Sequence, residues 1–294
     1  MRLVMKKVQC KEDNAEQTMR SYTSEKVCAR TMHFAIVPLL GIREDPKKRE
    51  FYFLSPYMDN GNLNSAIEKD SKLVSKHLQP ILNVRHRLRI MFQIASAIDF
   101  LHTPVPDIRG LILHMDIKSL NIVLDQNLNA RIIDFGLARE MKHGHDHTST
   151  TSLHYYATPG YDKLTQQQIL GKHDDYRYFG VVMRELLTGR KPSIEGCPEA
   201  TLKDQSVTKI KRASMKMWKD LVADPPVTDR LVELSVKCIT NKDITSKTLV
   251  TELKQLLADT NTKRWARKNE SSRCDMCLEY EAGNDLKNVL ICLC

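Results

Sequence analysis

The stretch HMDIKSLNIVLDQNLNARIIDFG, residues 114–136, decides the fold. Ile122 to Leu124 and Arg131 to Ile133 are short apolar runs, separated by the turn-rich Asp125-Gln126-Asn127-Leu128-Asn129. Two such runs around a short polar connection predict a β-hairpin. Closing it sets Asn121, just before the first strand, opposite Asp134, just after the second. Paired strands lie about 5 Å apart, so oxygens from both side chains can reach one hard cation. Asp116 lies upstream on the loop that enters the hairpin, close enough to orient a nucleophile beside that cation.

Composition narrows the class. The chain has 294 residues, 41% of them hydrophobic, which suits one large or two modest domains with a proper core. No apolar run reaches the roughly 18 residues of a membrane span. The start, MRLVMKKVQCKEDN, turns charged too early for a secretory signal. Eight cysteines over this length make no dense disulfide framework, so a reducing, cytoplasmic setting is expected. The net charge of +9 is spread among 36 acids. It points to solubility and to acidic or phosphorylated partners rather than to nucleic acid.

His114, Asp116, Lys118, Asn121, Asp134, Phe135 and Gly136 fall in the register of H-x-D-x-K-x-x-N followed by D-F-G. This resembles the catalytic and metal-binding loops of the protein-kinase family. The resemblance implies an α+β, bilobal fold with an incomplete N-terminal β lobe and a mainly helical C-terminal lobe. It implies that Asp116 accepts the proton of a substrate hydroxyl, and that Asn121 and Asp134 hold Mg²⁺ against the phosphates of ATP. Lys118 would stabilise charge on the transferred phosphoryl group, as in serine/threonine-directed members, and Thr158 in ATPGY resembles their substrate-loop threonine. The phrases YMDNGNL, HMDIKSLN and ELLTGRKP look like the tyrosine-kinase-like group, most of all its receptor-like and interleukin-receptor-associated kinases. The likeness covers about residues 1–258.

Working outward, Leu3-Val4-Met5-Lys6 resembles the strand that ends in the phosphate-binding lysine. Glu25 follows 19 residues later, in a helix expected from about Tyr22 to Met32, with an apolar strand from Phe34 to Leu40 behind it. That spacing suits a Lys6–Glu25 ion pair. No glycine occurs before Gly41, so the Gly-rich phosphate loop is missing and an N-terminally truncated member is expected. The run Phe51 to Met58 reads as a buried strand entering the hinge that binds the adenine edge. Ser55 falls at the gatekeeper position, Pro56 offers a carbonyl, and Met58 offers a carbonyl and an N–H. A turn at 59–62 leads to a helix near Leu63.

In residues 84–102, Leu88, Met91, Phe92, Ala95, Ile98 and Leu101 follow the spacing of a buried helix. Thr148 to Ser152 form a hydroxyl cluster in a polar activation-loop-like stretch, where phosphorylation would add ordering charge. His143, His145 and His147 read as a solvated run. Asp175 resembles the acid that ties a central helix to the catalytic loop. Leu231 to Ile239 and Leu249 to Leu257 supply two further amphipathic helices. The implied domains are a partial small lobe (1–58), a large lobe (59–262) and a basic, then Cys-rich tail (263–294).

Three departures stand out. Met115 replaces the arginine of H-R-D, which in the family docks an activation-loop phosphate, so activation by a different route is expected. No glutamate occurs between Glu140 and Glu185, and no arginine between Arg230 and Arg264, so both halves of a buried ion pair are gone, about where Ser246 would hold the arginine. Losing both halves is far cheaper than losing one. In the tail, Cys274, Cys277, Cys292 and Cys294 could make one tetrahedral Zn²⁺ site, resembling half of a RING-type finger. The function expected is a protein serine/threonine kinase acting with ATP and Mg²⁺ on protein substrates in intracellular signalling. The alternatives are a pseudokinase-like scaffold that binds partners without turnover and, from the tail alone, a zinc-dependent ubiquitin-ligase partner.

Overall fold

The computed structural model describes residues 2–10, 15–141, 147–150, 161–162, 167–190, 210–211, 225–240 and 244–269. Its first part is a three-stranded antiparallel sheet of order β1-β3-β2, made of β1 (Leu3–Gln9), β2 (Gly41–Asp45) and β3 (Glu50–Pro56). Helix α1 (Ala15–Cys28) lies between β1 and β2 in sequence. It starts earlier and ends earlier than the expected Tyr22 to Met32, because 15–20 are good helix formers and the chain turns tightly through Ala29, Arg30 and Thr31. Thr18, Tyr22 and Glu25 are buried on one stripe of α1, which is what points Glu25 inward. Tyr22 stacks on Phe51 of β3 at 4.1 Å between ring centres, fixing the helix to the sheet.

The expected strand from Phe34 to Leu40 does not form. Pro38 has no N–H to give a ladder, so the segment makes only a bridge from Ile36 to Ile132, and β2 begins after Leu40. The hairpin forms as β5 (Ile122–Leu124) and β6 (Ala130–Ile132). Its register is Ile122↔Ile132, Val123↔Arg131 and Leu124↔Ala130, one residue short of the expected pairing. The Asp125 carboxylate sets that register, since Oδ1 accepts from the N–H groups of Asn127 and Asn129, both at 2.9 Å.

Among the described residues five helices follow: α2 (Leu63–Ser75), α3 (Val84–His102), α4 (Lys172–Thr188), α5 (Pro225–Thr240) and α6 (Ser246–Asn269). Asn62 caps α2 and Asn83 caps α3, each side-chain oxygen accepting at 2.9 Å from the N–H three residues on. Gly189, left-handed at φ 66°, ends α4. Helix α3 is the axis of this part, packing on β6, α4 and α6. It is buried on more than the expected stripe: Ile90, Ile94 and Ala97 are also fully covered, while Phe92 is only partly buried. Helix α6 runs on through 262 to Asn269.

Two short pairings complete the description. Strand β4 (Ile112–Leu113) pairs with β7 (Arg139–Glu140). Strand β10 (Gln167–Gly171) lies between β8 (His147–Thr150) and β9 (Tyr161–Asp162). Thr151, Ser152, Thr158, His143, His145 and the four tail cysteines Cys274, Cys277, Cys292 and Cys294 lie outside the described residues. Among the described residues no helix is long and apolar enough to cross a membrane.

Candidate functional site

A cavity of about 380 Å³ opens between the small sheet and the hairpin. That is within the usual size range of small-molecule sites. Val4 and Lys6 of β1 form one wall, Phe53 and Ser55 of β3 the back, and Pro56, Tyr57 and Met58 the connector side. Leu120 and Val123 face them, and Ile133, Asp134 and Phe135 close the inner end. Cys28, Val37 and Leu39 complete the apolar lining. Ser55, Pro56 and Met58, the expected hinge residues, all line this cavity. The Met58 carbonyl, however, already accepts from the Gly61 N–H at 3.2 Å, closing the turn into α2.

Three charges meet at the inner end. Lys6 Nζ donates to Glu25 Oε1 and, at 2.7 Å, to Asp134 Oδ1. The expected Lys6–Glu25 pair is present, with Asp134 as a second acceptor that spacing alone could not show. Burial works against the Lys6 ammonium, but attraction to Glu25 and Asp134 outweighs it and holds the pKa above the usual lysine value. Burial pushes the Glu25 carboxyl upward against the pull of Lys6, with Asp134 adding like-charge repulsion. For Asp134 burial also acts upward, yet Lys6 wins and its pKa lies below the ordinary range.

Asp134 leaves the hairpin with φ 66°, a left-handed conformation rare outside glycine. The ladder ends one step earlier, with the Ile133 N–H on the Asn121 carbonyl at 3.0 Å. Asn121 thus faces Ile133 rather than Asp134, and the turn at Asp134 is what redirects its carboxylate toward Lys6. Gly136 leaves the carboxylate room, because an added Cβ would lie 2.9 Å from Ser21 Oγ and 3.2 Å from Asp134 Oδ1.

Beside this cluster lies a second one. Lys118 Nζ donates to both carboxylate oxygens of Asp116, at 2.9 and 2.7 Å. Asn121 Nδ2 donates to Asp116 Oδ2 at 2.8 Å and to the Asp116 carbonyl at 3.0 Å. A 3-10 turn over Ser119–Asn121 brings the amide back onto Asp116. Asp116, Lys118 and Asn121 form one group, and Lys6, Glu25 and Asp134 another.

Beneath both groups the loop is bolted to the core. The fully buried Asp175 carboxylate accepts from the His114 N–H at 2.9 Å, the Met115 N–H at 2.8 Å and His102 Nε2 at 2.8 Å. Burial alone would raise its pKa, but these donors, His102 foremost, hold it below the usual carboxylate range. Burial drives the His114 pKa down. The neutral ring accepts the Asp116 N–H at Nδ1 (3.3 Å) and donates from Nε2 to the Ile133 carbonyl (3.2 Å). Met115, at φ 65°, packs with Leu111, Leu113, Met141 and Leu170. Ser246, standing about where the family's arginine is expected, donates to Asp99 Oδ1 at 2.7 Å.

The lining residues Val37, Leu39, Leu120, Val123 and Ile133 were not marked by sequence. Only the half-buried position of Val123 in an otherwise buried strand hints at a facing cavity.

The protein kinase domain family model matches residues 1–289. Among curated proteins, the L-type lectin-domain containing receptor kinase I.7 of Arabidopsis thaliana is 34% identical over 190 residues, covering 64% of this chain and 26% of that protein. The receptor kinase I.8 of the same group and organism is 32% identical over 224 residues, covering 74% of this chain and 31% of its own length. The L-type lectin-domain containing receptor kinase SIT2 of Oryza sativa subsp. japonica is 34% identical over 181 residues, 60% of this chain and 25% of that protein. The chain spans about a quarter to a third of the length of these relatives.

Proposed function

The chain belongs to the protein kinase domain family, and from that premise we propose that it transfers the γ-phosphoryl group of ATP to serine or threonine hydroxyls of protein substrates. The observation that carries the reading is the Lys6–Glu25–Asp134 cluster lining one apolar cavity, with the Asp116–Lys118–Asn121 group joined to its inner end through the Ile133 N–H on the Asn121 carbonyl.

In this reading Phe53, Ser55, Pro56 and Met58 take the adenine, with Val4, Leu120 and Val123 sandwiching its faces. Lys6, oriented by Glu25, binds the phosphates. Asn121 and Asp134 fit Mg²⁺: both are hard oxygen donors, few in number, leaving room for phosphate oxygens and water. Asn121 spends its N–H donors on Asp116, which leaves its carbonyl oxygen as the atom to face the cation. When bound, Mg²⁺ supplies charge neutralisation on the phosphates. Asp116 accepts the hydroxyl proton of the substrate. Lys118, already on the Asp116 carboxylate, sits beside the attacking oxygen and favours serine or threonine over tyrosine. Catalysis of this kind is mostly positioning and electrostatics, which rigid side chains on a bolted loop can supply.

The reading places this activity in the cytoplasm, a reducing setting that suits the free thiols of Cys10, Cys28 and Cys238. The receptor-kinase names of its relatives support an intracellular signalling role with a protein substrate. The test is Mg-ATP-dependent phosphoryl transfer by this chain, with phosphoamino-acid analysis, beside Asp134→Asn and Asp116→Asn. Removal of one such charged group is expected to cost on the order of 10²–10³ in rate. Signal equal to wild type in either variant would sink the kinase reading. Tight ATP binding without any transfer would favour the scaffold.

A further inference from the structure

The segment that follows Gly136 is fastened to its surroundings at four points. Strand β7 pairs with β4, and the Met141 N–H donates to the Leu111 carbonyl at 2.7 Å. Gly110 lies so close to this segment that an added Cβ would sit 2.1 Å from the Met141 carbonyl oxygen. Met115 and Met141 share one apolar cluster, with Leu137 packed against it. Finally, two arginines cross to or from helix α1. Arg139 Nη1 donates to Ser24 Oγ at 2.6 Å, and Arg30 pairs with Glu140.

Glu140 is the junction. Its Oε2 accepts from Arg30, two residues beyond the end of the helix that carries Glu25, and its Oε1 accepts from the Gly110 N–H at 2.9 Å. Gly110 lies two residues before β4, the strand that runs straight into the loop of His114 and Asp116. The buried Arg109 guanidinium also lies within electrostatic reach of Glu140. A single carboxylate thus joins the helix that orients Lys6 to the strand that delivers Asp116.

We propose that Arg30 and Glu140 are positioning residues that clasp α1 to the catalytic loop, keeping Glu25 on Lys6 without any phosphate on the chain. This deepens the kinase reading and rests on it. The Glu140 side chain is 22% exposed and that of Arg30 51%, and what sets this pair apart from an ordinary surface bridge is that the second Glu140 oxygen is held by the Gly110 N–H. The Met115 side chain, only 2% exposed, fills the floor of the clasp with apolar contact instead of a charge that would call for a phosphate.

The experiment measures amide hydrogen exchange across residues 15–28, together with Mg-ATP-dependent transfer and the thermal midpoint, in the full chain. Wild type is compared before and after phosphatase treatment, with Arg30→Ala, Glu140→Gln, the double variant and Arg30→Lys. Phosphatase is expected to leave α1 exchange unchanged. Each single variant should speed it about tenfold, the factor that one lost charge-assisted hydrogen bond gives. The double variant should be no worse than either single one, and Arg30→Lys should restore most of the protection. The turnover number should fall with α1 protection while the KM for the acceptor and the thermal midpoint hold, a split that mere loss of stability would not produce. Faster α1 exchange after phosphatase, or wild-type exchange in both single variants, would overturn the clasp. If the variants release α1 while wild type itself transfers no phosphate, the clasp stands and the kinase reading falls.

Discussion

Replacing Asp175 with asparagine changes one atom and should cost more stability than most single substitutions in this chain. The carboxylate is fully buried and accepts three hydrogen bonds at 2.8–2.9 Å, two from the backbone of the loop at 114–115 and one from His102. Hydrogen bonds to a charged group are each worth about 1.5–3 kcal/mol, and a buried donor left without a partner costs about 1–3 kcal/mol. Asparagine keeps one acceptor oxygen. If that oxygen serves His114 and His102, the new NH₂ faces the Met115 N–H, donor against donor. The three terms share one atom group and do not add, so the expected loss is about 3–5 kcal/mol, as for breaking a buried pair. That is a large part of the roughly 5–15 kcal/mol that holds a domain together. Urea unfolding followed by circular dichroism measures it, with the exposed Asp107→Asn as control, expected within about 0.5 kcal/mol of wild type. The sign with pH is fixed by the lowered pKa of Asp175. Its contribution is full above the unfolded value near 4 and fades as pH falls toward the folded one. Wild type should therefore lose stability relative to Asp175→Asn on going from about pH 5 to pH 3. A loss below about 1 kcal/mol at neutral pH, or parallel acid profiles, would refute the argument that this carboxylate anchors the loop.

Two other perturbations follow from the same geometry. His114 is buried with its pKa lowered, so the fold favours the neutral ring and stability should decline as pH falls below about 6.5, where the unfolded chain takes up the proton first. In His114→Gln that slope should flatten, read by unfolding midpoints at pH 7.5 and 5.5. Gly136→Ala places a Cβ 2.9 Å from Ser21 Oγ and 3.2 Å from Asp134 Oδ1, so Ser21 must turn aside and the Asp134 carboxylate give by a few tenths of an ångström. Transfer should drop at least about tenfold with the fold retained, and an unchanged rate would show that Asp134 needs no such support.

The sequence alone carried the family and the parts list. Asp116, Asn121 and Asp134 are legible because they flank a short hairpin, and hairpins are local; Lys118 is legible only through the motif resemblance. Lys6 and Glu25 were legible as a strand–helix spacing, and Asp175 as an acid at the start of an amphipathic helix. Helix α3 was found from its period, but its burial was underestimated: periodicity marks one face and says nothing of a second partner such as α6 arriving from the far end of the chain. The strand expected at Phe34 to Leu40 failed because apolar content was weighed above the missing N–H of Pro38.

Only the tertiary structure decided how these parts meet. The pairing of Lys6 with Asp134 spans 128 residues, and it depends on a left-handed turn that no residue type at 134 announces. Likewise Glu140 is, in the sequence, only the last glutamate before Glu185, and it becomes a junction because Arg30 and Gly110 arrive from separate elements. Local pattern fixes which side chains are present and which face of an element they share. Which charge neutralises which is set by long-range packing, because a buried ion must find its partner wherever the folded chain brings one.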